Sequence, residues 1–436
     1  MTTVPAGEMG AVRATLAADR WRRAVGWLRN HVPELLCLAA GLLLRLSMLR
    51  RFDPGWGYDA GVYWEIVQWW LDHWTFPPRD RFICAHHPPL YFLVVALLVK
   101  LGVTRQQVTL FPILCGTTRL ALIWAGLERY LPRRRWARVF ALALAAVLPV
   151  SVHVDGCLYP EPVNGMFAAA VMLALPGAFR AEGRARWRAA AWVGVFLGFQ
   201  MLTKISALTI VATIGLTLLL EAYSGRERLR TPAGRLAMLR GLAPWSLVLL
   251  LPALMSGWYF ARNLGPYHKL FLTGYDTTEK GYMTDLVKTP VLDRRKLGFP
   301  LLWDDAIYRF PYNPSGLGES PRFFPVAMAS SFSDYYNQSF SGLEPFTPGP
   351  IRSTGHILTK ELVSTARFSV LGGTVLLAAA FVAWLASLAR TLRARDWGIV
   401  CLMLVPPVMT AFAFYTACKY PFDSGGVIKG AYMTYG

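Results

Sequence analysis

The chain has 436 residues, of which 54% are hydrophobic and only 16% charged, whereas a soluble domain carries about a quarter charged residues. That balance excludes an ordinary soluble enzyme and predicts an all-α polytopic membrane protein. The formal charge of +19 does not point to nucleic acid, because the arginines fall in short clusters between apolar runs, the pattern of cytoplasmic loops.

A helix needs about 20 apolar residues to cross a bilayer, and runs approaching that length recur along most of the chain. Residues 1–34, with Arg20, Arg22, Arg23 and Arg29, are basic and weakly amphipathic and are expected to remain cytoplasmic. Leu35 to Leu49 crosses outward, and with no small-residue cleavage site behind it reads as a retained signal anchor. The first outer loop, 51–107, begins with Asp53, Gly57-Tyr58-Asp59-Ala60 and Glu65. It continues through Trp69, Trp70 and Trp74 and reaches His86-His87-Pro88-Pro89-Leu90-Tyr91. Leu90 to Leu101 is too short to span and reads as an interfacial or re-entrant helix.

The second span, Val108 to Leu127, runs inward to Arg129, Arg133, Arg134, Arg135 and Arg138. The third, Val139 to Val150, returns outward to His153, Asp155 and Glu161, and the fourth, Val163 to Phe179, goes in to Arg180, Arg184, Arg186 and Arg188. Between that cluster and Arg226 to Arg240 lies one apolar stretch, Ala189 to Leu220. Both flanks are basic, so an even number of crossings joins them, and Lys204 falls at the outer turn of two short helices. Leu242 to Phe260 reaches the outside at Arg262. A polar region follows over 262–367, and Phe368 to Leu388 and Trp397 to Phe414 complete nine spans. The chain thus divides into a cytoplasmic segment 1–34, a transmembrane core 35–261, an extracytoplasmic region 262–367 and C-terminal spans within 368–436. Gly425 to Tyr432 resembles the approach to a further span, which reads as a truncated product or a naturally short member. Cys37, Cys115 and Cys401 fall in apolar runs; Cys84, Cys157 and Cys418 are placed outward, with no spacing that argues for a disulfide.

Asp59, Glu65, Asp155, Glu161, Lys204 and Arg262 are thus all expected on one face. Several short stretches there resemble the GT-C glycosyltransferases, nearest to the branch of protein O-mannosyltransferases and lipid A aminoarabinose transferases. They are Arg45 near the outer end of the first helix, Tyr58-Asp59-Ala60, the PPLYF block from Pro88 to Phe92 and the LPRRRWA turn from Leu131 to Ala137. Leu202-Thr203-Lys204 and Gly257 to Asn263 complete the set. The similarity is good over 35 to 265 and elsewhere rests on topology. It departs from the family in Ala60, where a second acid often follows the first.

The resemblance implies transfer of a hexosyl or pentosyl unit from a polyprenyl-phosphate donor to a lipid, glycan or protein hydroxyl. The enzyme would lie in the plasma (inner) membrane with its active site on the extracytoplasmic side. It implies Asp59 as the general base, where a plain loop acid or helix cap is the bland alternative. Glu161 or Asp155 would be the second-loop acid. Lys204, Arg262 and His87 are the candidates for the donor phosphate, with snorkelling or interfacial anchoring as the alternative for the two cations. Arg119, inside the second span, is expected in an internal salt bridge. Paired outer acids are groups a divalent cation would take, but no ligand spacing demands a metal and no other cofactor is implied. A transporter or flippase of lipid-linked sugars, or a non-catalytic assembly subunit, are the rival readings. A transporter would favour a mid-membrane site between broken, repeated helices, and no such repeat is visible.

Overall fold

The computed structural model describes residues 19–51, 59–79, 81–82, 84–272, 323–332 and 360–419. Most of the expected outer region 262–367 and the stretch 420–436 lie outside these residues, as do Asp53, Gly57 and Tyr58. The described residues form helices and connecting turns, with no strand among them. In chain order the helices are α1 (19–30), α2 (Val32–Arg51), α3 (Ala60–His73), α4 (Leu90–Lys100), α5 (Arg105–Val108), α6 (Leu110–Tyr130), α7 (Arg135–Val147) and α8 (Pro149–Asp155). There follow α9 (Glu161–Arg180), α10 (Gly183–Met201), α11 (Ala207–Ser224), α12 (Pro232–Leu242), α13 (Ser246–Ala261), α14 (Leu264–Tyr267), α15 (Phe323–Phe332), α16 (Lys360–Ala394) and α17 (Trp397–Lys419).

Among the described residues seven helical stretches are long and apolar enough to cross a membrane, or eight if the bent pair α7–α8 is one span. Nine had been expected, and the difference is α10. It occupies the expected place, but Arg184, Arg186 and Arg188 fill its first turns, leaving an apolar length of about 20 Å at 1.5 Å per residue. It nevertheless runs from the arginine end to the turn carrying Lys204 at the site end, the course expected of a span. The bend of 53° between α7 and α8 follows from Pro149. Leu148 before it is extended (φ −56°, ψ 118°), the conformation a following proline favours. Helix α4 is the short apolar helix expected there. It does not float at the surface, because Tyr91, Phe92, Val95 and Ala96 pack into the core that α3 also enters. Large apolar side chains such as Leu219, Leu254 and Phe381 stay exposed on the outside of the bundle, where a soluble protein would not tolerate so many.

Hydrogen bonds and ring contacts tie the arginine clusters together at one end. Arg135 donates to the Asn30 carbonyl (2.9 Å), and Arg180 lies 6.0 Å from the Tyr130 ring and 2.6 Å from Asp396. Arg186 donates to the Gly241 carbonyl at 3.3 Å. The helix ends that bear the candidate site residues are at the other end.

Candidate functional site

At the end opposite the arginines, five chain segments are laced together. The Asp59 N–H donates to the Tyr159 hydroxyl at 3.1 Å. The Tyr63 hydroxyl meets His87 Nε2 at 3.2 Å. The Leu90 N–H, at the start of α4, donates to the Leu202 carbonyl at 3.0 Å, which ties the PPLYF block to the turn carrying Lys204. The Tyr259 hydroxyl, buried at the end of α13, sits among the carbonyls of Ala85, His86 and His87, nearest to His87 at 2.7 Å. Segments well separated in sequence therefore fix one another through main-chain groups, tyrosine hydroxyls and the His87 ring.

Lys204 and Glu161 form a buried ion pair, Nζ to Oε1 2.5 Å, with both side chains less than a tenth exposed. The break between α10 and α11 puts Lys204 there, and Glu161 is the first residue of α9. Asn164, one turn further along the same face of α9, donates to the Ser206 hydroxyl at 3.2 Å, so two side-chain links hold α9 against this turn. Arg262, half-buried just beyond α13, stacks over Phe76 (3.8 Å to the ring centre) and Tyr259 (4.3 Å). Burial lowers its pKa; a guanidinium starts so high that it stays charged. Arg79 shares the Tyr259 ring at 5.8 Å. His87 and Arg262 are thus joined through Tyr259, whereas Lys204 is engaged by Glu161.

Asp155 belongs elsewhere. It ends α8 fully buried, with Oδ2 2.7 Å from Arg45 Nε and 2.9 Å from an Arg119 nitrogen. Arg45 also donates to the carbonyls of Gly41 and Ala146 and to Ser151, and Arg119 hydrogen-bonds the same serine. Arg119 makes the internal salt bridge expected of it. Gly116 faces the carboxylate so closely that a methyl group there would overlap it. The five residues between Asp155 and Glu161 take the chain from this interior cluster to the site end, so only Glu161 lies with Lys204.

Asp59 stands at the N-cap position of α3 but makes no side-chain capping hydrogen bond. Among the aromatics, Trp70 is buried in the core, and Trp69 stacks on His73 at 3.9 Å. Cys84 and Cys157, placed outward from the sequence, are buried, and burial pushes the Cys157 thiol up to about 12. Among the described residues no three His, Cys, Asp or Glu side chains are grouped to hold a metal ion.

Sequence reasoning passed over Tyr63 and Tyr159. Tyr63 is almost fully buried, and its ring stands edge-on to Tyr159 at 5.3 Å. Burial above all, and then Cys84, Asp59 and Glu161, push its hydroxyl well above the ordinary tyrosine range. Three groups singled out for chemistry or close to it therefore bear on one hydroxyl. The signal was present: Tyr63 lies four residues after Asp59, one helical turn along the same face.

Residues 86–251 match the model of the dolichyl-phosphate-mannose-protein mannosyltransferase family, and the GT-C resemblance read from the sequence is borne out. Comparison with curated proteins finds no match. Among solved structures, ArnT from Cupriavidus metallidurans in the apo state is similar at 17% identity and a TM-score of 0.39, over 95% of this chain and 76% of that one. The same protein bound to undecaprenyl phosphate gives 17% and 0.38, over 94% and 76%. The archaeal oligosaccharyltransferase AglB from Archaeoglobus fulgidus, in complex with an inhibitory peptide and a dolichol-phosphate, gives 11% and 0.44, over 94% and 50%. Structural likenesses at this level carry no weight for activity.

Proposed function

We propose that the chain is a membrane glycosyltransferase that moves a hexosyl or pentosyl unit from a polyprenyl-phosphate donor to a hydroxyl of a lipid, glycan or protein. The reaction is assigned to the extracytoplasmic face of the plasma (inner) membrane. The observation that carries this reading is the gathering of Asp59, His87, Glu161, Lys204 and Arg262 at the bundle end opposite the arginine clusters. Three of these residues, His87, Glu161 and Lys204, lie inside the stretch that matches the family model.

The reaction breaks the bond between the anomeric carbon and the phosphate oxygen, and forms one from that carbon to the acceptor oxygen. The acceptor proton needs a base, for which Asp59 is the candidate, and the electron pair left on the phosphate needs donors or cations beside it. Arg262, braced on Phe76 and Tyr259, and His87, joined to it through Tyr259, are assigned to that phosphate. Lys204 is assigned there too, with Glu161 holding it until an anion competes for the ammonium. Asp155, enclosed by Arg45 and Arg119, is given no part.

Mass spectrometry of lipid and glycan fractions from cells with and without the gene tests the proposal. A sugar-bearing product should vanish with the gene. An unchanged product profile would overturn the reading, and lipid-linked sugar accumulating on the cytoplasmic leaflet would favour a flippase.

A further inference from the structure

Both ends of His87 are held by tyrosines. Its carbonyl accepts from the Tyr259 hydroxyl at 2.7 Å, and its ring nitrogen Nε2 lies 3.2 Å from the Tyr63 hydroxyl. The Tyr63 ring has little freedom, because Tyr159 meets it edge-on at 5.3 Å and Phe92 lies against it at 5.7 Å. Only 2% of Tyr63 is exposed, so bulk water does not serve its hydroxyl. A buried hydroxyl must place its proton on an acceptor. Among the described residues the acceptor in reach of Tyr63 is His87 Nε2. Burial also keeps this phenol protonated, since it raises the pKa of a group whose charged form is the anion. An imidazole that accepts at Nε2 carries its hydrogen on Nδ1 and is neutral.

We infer that Tyr63 is a positioning residue that holds His87 as the neutral Nδ1–H tautomer, so that His87 meets the donor phosphate as a hydrogen-bond donor and not as a cation. The donor-side half of this statement rests on the proposed function; the tautomer does not. The consequence for the site is a division of labour. Positive charge for the phosphate comes from Arg262 and Lys204, and His87 supplies a directed N–H whose orientation is set by the Tyr63 hydroxyl. Asp59 and Tyr63 lie one turn apart on α3, so the same helix start that offers the base also aims the imidazole.

The test uses the full chain in detergent micelles with ring-15N histidine, the His87 signals being assigned by their loss in His87→Gln. In the wild type at neutral pH, His87 should show a protonated Nδ1 and an unprotonated Nε2. Tyr63→Phe keeps the ring contacts with Tyr159 and Phe92 and removes only the hydroxyl, and should redistribute the signals between tautomers. An Nε2–H tautomer in the wild type, or signals unmoved in Tyr63→Phe, would overturn the inference. The second arm measures binding of farnesyl phosphate as a water-soluble probe. Affinity should fall about tenfold in His87→Gln and several-fold in Tyr63→Phe, with melting temperature close to wild type in both. Unchanged farnesyl phosphate affinity in both variants, with the tautomer as stated, would overturn the donor-side role and leave the positioning of the ring upheld.

Discussion

The Lys204 ammonium lies 2.5 Å from Glu161 Oε1 with both side chains buried, which joins the turn between α10 and α11 to the first residue of α9. Both charges are removed from water and face each other. Removing one partner of such a pair costs roughly 3–5 kcal/mol, because the other is left uncompensated, whereas replacing both by apolar groups is often neutral. Lys204→Met and Glu161→Leu should therefore each lower the melting temperature, and the double variant should recover most of the loss. Affinity for farnesyl phosphate should not recover with it. A double variant that is as stable as wild type and binds the probe equally well would reduce the pair to a structural clamp.

A second prediction separates the two acids of the 155–161 stretch. Asp155 is enclosed by Arg45 and Arg119 at 2.7 and 2.9 Å, so Asp155→Leu leaves two buried guanidiniums facing each other without a counter-charge. The destabilisation should be several kcal/mol, on the order of the whole stability of many domains, and the variant should be recovered poorly as monodisperse protein. Size-exclusion profiles compared with those of Glu161→Gln decide the point. Equal recovery of both variants would mean that the cluster contributes little to the fold.

A third concerns sidedness. Asp59 is at the site end of the bundle, and Arg134 lies in the turn joined to the start of α2 through Arg135 and Asn30. Cysteines introduced at 59 and 134 should therefore label from opposite sides of the membrane, the first from outside. Native Cys157 should stay silent in such an experiment below strongly alkaline pH. Its thiol is fully buried and its pKa raised to about 12, so the reactive thiolate is scarce. Labelling of both introduced positions from one side would reject the topology.

Much of this architecture could be read from arginine placement, since basic loops set the parity of crossings. That argument alone put Lys204 at a turn between α10 and α11, where it lies. What it could not reach was pairing. Glu161 and Lys204 are 43 positions apart, and a single sequence carries no sign that they meet. Nor could composition distinguish Asp155 from Glu161. The distinction depends on α8 continuing after the Pro149 bend, which carries Asp155 inward beneath Arg45. Tyr63 was overlooked for a different reason: an aromatic residue in an aromatic-rich stretch looks like core or interface, and its hydroxyl gains meaning only when His87 is placed beside it.

The last prediction is the one on which the catalytic assignment depends. If Asp59 takes the acceptor proton, Asp59→Asn keeps the size of the side chain and removes its basicity. General-base catalysis typically contributes about a hundredfold to ten-thousandfold, which sets the fall in turnover to expect. The bland alternative from the sequence was a helix cap, and Asn caps a helix nearly as well as Asp. The structure weakens that alternative, since Asp59 occupies the N-cap position of α3 without a side-chain capping bond. Its N–H donates to Tyr159 at 3.1 Å, and Asn retains that N–H. Asp59→Asn should accordingly insert, purify and melt like the wild type and bind farnesyl phosphate with unchanged affinity, while the sugar-bearing product falls in a complemented deletion strain. Product restored to wild-type levels by Asp59→Asn at matched expression, and again with the purified variant once the donor is in hand, would remove Asp59 from the chemistry and turn the search for the base towards Glu161.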